Sequence, residues 1–266
     1  MLSLVTEPEA LMAIDDPSQL IIVDLCHPDN YAAGHIPGAV HVSPAQLVSG
    51  VRPAVGKLPD DARVLEMLSG IGYEADKHII AYDDEGGGWA GRFLWTLDLI
   101  HHDARSYLNG GRQAWISAGG DLETGTNTPE PTEVSVEIDR GLIASKQDVL
   151  DSIDDPGTIV WDARSPEEHR GDKVVSQRGG RVPGAINFDW LEVMDRGRDL
   201  RIREDLASAL EARGITRDKK VITHCQSHHR SGLTWLAGKS LGYDIRAYDG
   251  SWSEWGNDPD LPVETG

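Results

Sequence analysis

Five short blocks occur twice in this chain, in one order and roughly 140 residues apart. Ile22-Val23-Asp24 returns as Ile159-Val160-Trp161-Asp162, and Pro28–Tyr31 returns as Pro166–His169. Ile36–Val40 matches Val182–Ile186, Ile79–Asp83 matches Val221–Cys225, and Leu108–Trp115 matches Tyr248–Trp255. The chain therefore reads as a tandem duplication, and its 266 residues leave each copy room for its own core. Glu123–Thr132, rich in Thr, Pro and Gly, has little to bury and reads as part of a linker. The expected division is a first domain at 1–122, a linker at 123–139 and a second domain at 140–266.

Within a copy, short apolar runs alternate with helical spacings. In the first, Leu20–Asp24, His78–Tyr82 and Ala104–Leu108 read as strands, while Asp60–Gly72 and Trp89–Ile100 read as helices. This alternation predicts an α/β fold in which each copy is a parallel sheet with helices on both faces. Ligands of such sheets bind beyond the carboxyl ends of the strands.

At one of those ends stands Cys225. The apolar run from Val221 leads into it, and Gln226, Ser227, His228, His229 and Arg230 follow. A helix is expected from Leu233 to Leu241. A turn between a strand and a helix N-terminus offers unpaired backbone N–H groups and a positive dipole end, which stabilise an anion. That is the setting a nucleophilic cysteine needs, because the thiolate is the attacking species. The first copy has Asp83 in this position, so the duplication leaves one nucleophile. Cys26 aligns with Arg164 and is expected to be inert.

These residues resemble the rhodanese family of sulfurtransferases in its two-domain form, over nearly the whole chain. The resemblance rests on Val182-Pro183-Gly184-Ala185 preceded by Arg178-Gly179-Gly180, on Asp249–Trp255, on the tail Gly256–Pro262, and on a six-residue loop from Cys225 to Arg230. The Cys-Gln-x-His-His-Arg loop is similar to that of bacterial thiosulfate:cyanide sulfurtransferases. Other members carry glycine where His228 stands, and some carry an arginine at the position of Glu168. The resemblance implies tandem rhodanese-like domains, the first without a catalytic cysteine. It also implies that Cys225 takes sulfur from thiosulfate, holds it as a persulfide and passes it to cyanide or a thiol, with no cofactor beyond that covalent intermediate. Gln226, Ser227, His228, His229, Arg230 and Arg164 are the expected donor-binding residues. The alternatives are 3-mercaptopyruvate as donor, or a sulfur-carrier or binding protein that hands sulfur to a protein acceptor. Cysteine phosphatases hold five residues between cysteine and arginine, and the four found here disfavour that chemistry.

His224, Cys225, His228 and His229 are of types that suit zinc, but the sequence shows no second ligand cluster, and no metal is expected. A net charge of −19 argues against nucleic acid or an anionic membrane as partner. No run approaches the length of a membrane span, and Met1–Glu9 lacks a basic segment followed by an apolar one. With two cysteines and no disulfide framework, the cytoplasm is the expected compartment. Two complete domains leave no need for a partner subunit, so a monomer is expected.

Overall fold

The computed structural model describes residues 2–266. Two compact units are present, and each is assembled from separate stretches of chain. The first comprises the chain up to Leu47, Pro59–Asp139 and Met194–Ile202, and the second comprises Val48–Leu58, Arg140–Val193 and Arg203–Gly266.

In the first unit, strands β1 (Val5–Thr6), β2 (Leu20–Asp24), β3 (Val40–His41), β4 (His78–Tyr82) and β5 (Arg105–Leu108) alternate with helices α1 (Pro8–Met12), α2 (Pro28–Ala33), α3 (Asp61–Gly70), α4 (Gly88–Asp98) and α5 (Gly111–Ser117). The sheet is parallel, in the order β1-β5-β4-β2-β3. Ile22, Ile80, Leu108 and Trp115 share one core cluster. The central strands are near-continuous apolar runs, as expected of strands covered on both faces. Asp60 starts α3 as a side-chain cap, accepting from Arg63 N at 3.0 Å.

The second unit repeats this plan with α6 (Lys146–Ser152), β6 (Thr158–Asp162), α7 (Pro166–Arg170), β7 (Ile186–Asn187), α8 (Leu206–Ala212), β10 (Lys220–His224), α9 (Arg230–Ser240), β11 (Ile245–Ala247) and α10 (Ser251–Trp255). Its parallel order is β11-β10-β6-β7. Val160, Ile222, Tyr248, Trp252 and Trp255 belong to its core. The repeat holds in detail. Asp24 pairs in register with Tyr82, and Asp162 with His224. Arg112 N donates to Asp83 O at 2.9 Å, as Trp252 N does to Cys225 O at 2.9 Å.

Two segments depart from the division expected at residues 122 and 140. Residues 48–58 fold with the second unit, where Leu58 N donates to Asp249 at 2.8 Å and Lys57 pairs with Glu254 at 2.6 Å. Residues 194–202 fold with the first unit as an antiparallel pair, β8 (Met194–Asp195) and β9 (Arg201–Ile202). There Ile202 N donates to Asn109 at 2.8 Å, and Arg201 pairs with Glu7 at 3.0 Å. The stretch 123–139 belongs to the first unit as well and is tied down along it. His35 and Glu123 exchange backbone hydrogen bonds, Asn127 donates to Ala39 O, and Thr132 donates to Tyr73 O. Among the described residues, no helix is long and apolar enough to cross a membrane.

Candidate active site

The loop between β4 and α4 shows what this turn does with an anion. Asp83 is fully buried, and its Oδ1 accepts from the amides of Glu85, Gly86 and Gly87 at 3.2, 3.1 and 2.8 Å. Its Oδ2 accepts from Ala90 N at 3.0 Å. Four converging N–H groups at a helix start form an anion nest, and here the chain fills it with its own carboxylate. Burial, with a contribution from Glu85, pushes that carboxyl up to about 6 even though the amides oppose the shift.

The loop between β10 and α9 is the counterpart. Helix α9 begins at Arg230, three residues before the expected Leu233, because Gly232 N closes the first turn on His229 O at 2.8 Å. Cys225 is fully buried at the strand end. Burial raises its thiol. The charge of Arg230, the Ser231 hydroxyl and the amides of Ser231 and Ser227 outweigh burial and leave it below an ordinary thiol. The Ser231 hydroxyl donates to Sγ at 3.5 Å. Not every loop amide faces the sulfur, however. His228 N is bonded to Ser251 Oγ at 3.1 Å, and Cys225 N lies 3.4 Å from the same oxygen.

Arg230 is held by a fork. Its two terminal nitrogens meet the two carboxylate oxygens of Glu168 at 2.6 and 3.0 Å, and Glu168 is 3 % exposed. Burial raises Glu168, but the arginine brings it below the usual carboxylate range. Asp189 lies nearby, raised by burial and opposed by Arg230. The cation that favours the sulfur anion is thus already partnered.

Arg164, expected at the donor, is not placed to meet one. It is 1 % exposed and lies over the Trp252 ring, with its guanidinium 4.3 Å from the ring centroid. Its Nε and one terminal nitrogen bond to Asp162 at 2.9 and 2.7 Å, and that terminal nitrogen also bonds to Gly180 O at 2.7 Å. The reason is the buried Asp162 at the end of β6, which needs a charge partner.

His228, another expected donor ligand, is fully buried with Nδ1 turned to Ser231 Oγ at 2.8 Å. The remaining loop residues are half-buried. Gln226 donates to Ser176 at 3.1 Å and lines a cavity of about 420 Å³ with Arg52, Val55, Val175 and Asn257. Ser227 approaches the backbone of Gly56 so closely that a Cβ there would meet its carbonyl oxygen at 2.0 Å. His229 packs against Trp190, ring centres 5.6 Å apart. Cys26 is fully buried, and burial with the nearby Asp24 raises its thiol far above the ordinary range, so it is no nucleophile. Among the described residues, no three His, Cys, Asp or Glu side chains converge to hold a metal ion.

Sequence reasoning did not assign roles to Glu168, Ser231 and Ser251. The repeat carried a signal for the last of these. Gly111 of the first copy and Ser251 of the second share a left-handed backbone, φ 57 and 52°, as do Gly86 and His228, φ 100 and 53°. Side chains at two positions where the sister copy has glycine mark a specialised site.

Comparison with known proteins agrees with this architecture. Residues 6–118 and 145–258 each match the family described as Rhodanese-like domain. A thiosulfate sulfurtransferase of Azotobacter vinelandii is 46% identical over 264 residues, covering 99% of this chain and 97% of the relative. One from Pseudomonas aeruginosa is 47% identical with the same coverage, 99% and 97%. Among solved structures, that of YnjE superposes with a TM-score of 0.88 at 21% identity, covering 99% of this chain and 70% of the other, a likeness of fold.

Proposed function

The chain belongs to the rhodanese-like domain family, and we propose that it is a thiosulfate sulfurtransferase working through a persulfide on Cys225. The observation that carries this reading is the pair of loops. In the first unit the nest holds a built-in anion, Asp83. In the second the same turn holds the Cys225 sulfur, with the charge of Arg230 and the amides of Ser227 and Ser231 favouring its anionic form, a setting for an anion that must come and go.

The thiolate of Cys225 attacks the outer sulfur of thiosulfate. The sulfur–sulfur bond of the donor breaks, sulfite leaves with the bonding electron pair, and Cys225 keeps the transferred sulfur as a persulfide anion. Cyanide or a thiolate then attacks that outer sulfur, and the Cys225 thiolate is regenerated as thiocyanate or a new persulfide departs. Two half-reactions on one covalent intermediate give ping-pong kinetics. A protein thiol can serve as acceptor by the same step. The two free cysteines suit a reducing compartment such as the cytoplasm.

Steady-state thiocyanate formation tests the assignment. Cys225→Ala is expected to abolish it, while Cys26→Ala stays within about twofold of the parent, since its thiol is buried and takes no part. Activity retained by Cys225→Ala would refute the assignment.

A further inference from the structure

The geometry points to a hydrogen-bond donor chain that runs from His228 through Ser231 and ends on the Cys225 sulfur, with His228 as a positioning residue for the sulfur anion. This rests on Cys225 being the sulfur-carrying residue. Ser231 Oγ lies 3.5 Å from Sγ and 2.8 Å from His228 Nδ1, and all three residues are fully buried. A hydroxyl has one hydrogen, and a thiolate accepts but does not donate. With the Ser231 hydrogen on sulfur, Ser231 Oγ is the acceptor towards His228, and Nδ1 must carry a hydrogen. The imidazole thereby orients the hydroxyl and polarises it towards the sulfur.

The surroundings hold this arrangement in place. Ser231 sits in the first turn of α9, which fixes its Cβ. His228 takes a left-handed backbone, φ 53°, that L-residues adopt at a cost. Its amide is clasped by Ser251 Oγ, whose own hydrogen goes to Tyr248 O at 2.9 Å. The first copy has Gly86 and Trp89 at the two corresponding positions, together with its built-in anion Asp83. The chain of donors is therefore found in the copy that has the cysteine. It accounts for a histidine where glycine would fit the backbone better.

Other groups also act on this sulfur or its loop: Arg230 with its partner Glu168, and His224, whose Nδ1 meets Cys225 O at 3.1 Å beside Asp162. All of these remain in the variants below. The test is the pH profile of Cys225 alkylation by iodoacetamide in the full-length protein, located by peptide mass. It reads the thiolate without any sulfur transfer, so it stands even if the proposed turnover fails. Ser231→Ala and His228→Gly are each expected to slow alkylation at neutral pH by about tenfold and to move the midpoint upward. His228→Asn tolerates the left-handed backbone and places an amide N–H where Nδ1–H stands, so it is expected to recover most of the rate. Glycine is the residue of the sister loop, and thermal melting will show that His228→Gly is folded. A parent-like profile for His228→Gly would overturn the proposal, and so would His228→Asn falling as far as His228→Gly. A parent-like profile for Ser231→Ala would overturn it independently of how the His228 variants fold.

Discussion

The guanidinium of Arg230 serves two anions, the Glu168 carboxylate that holds it and the Cys225 sulfur that it stabilises. The carboxylate fixes the cation in place but also offsets its charge towards an incoming dianion. Glu168→Gln keeps the shape and removes the negative charge. Its KM for thiosulfate is expected to fall about fivefold, equivalent to about 1 kcal/mol, with little change in KM for a neutral acceptor. A raised KM for thiosulfate would show instead that Glu168 serves the donor by orienting Arg230. Arg164 acts on stability rather than on substrate. Arg164→Ala leaves Asp162 buried beside His169 and His224 without its main partner, and a loss of about 3–5 kcal/mol in denaturant unfolding is expected. Burial raises the Asp162 carboxyl, but Arg164, His224 and His169 bring it well below its ordinary value of 3.8. Its contribution is therefore complete above 3.8 and is lost only as pH falls through the lower folded value.

At the scale of elements, the two strand–loop–helix turns are one device used in two ways. Asp83 is the opposite of Asp162 in sign: its carboxyl is pushed up to about 6, so its contribution is complete below 3.8 and fades as pH rises through about 6. Asp83→Asn removes that titration and is expected to flatten the stability profile between 3.8 and about 6, and an unchanged profile would contradict the assignment. The strands and the loop were legible in the sequence because apolar β-branched runs and the repeated blocks mark them in both copies. The ion pair of Glu168 with Arg230 was not, since nothing in a linear pattern brings residues 168 and 230 together. The helix start at Arg230 was also missed, because no side-chain cap announces it. Residues 48–58 and 194–202 could not be assigned from sequence either. Their places depend on contacts between residues far apart in the chain, such as Leu58 N to Asp249, Lys57 to Glu254, Ile202 N to Asn109 and Arg201 to Glu7, and not on an apolar periodicity.

For the whole molecule, duplication and charge are the features that reach furthest. The repeat makes the tandem α/β architecture readable in the sequence, and it also supplies the sister loop against which the Cys225 loop is understood. A net charge of −19 opposes the approach of a thiosulfate dianion. Screening shortens the reach of that field to about 10 Å at 0.1 M salt, so kcat/KM for thiosulfate is expected to rise with salt up to about 0.15 M. A fall over the same range would mean that local cations, not the global charge, govern donor capture. The central claim is that Cys225 carries the sulfur. Intact-protein mass, recorded after brief exposure to thiosulfate and again after cyanide, addresses it most directly. A gain of one sulfur atom, reversed by cyanide with release of thiocyanate and absent in Cys225→Ala, is the predicted result. The same gain in Cys225→Ala, or no gain in the parent protein with thiosulfate, would contradict it.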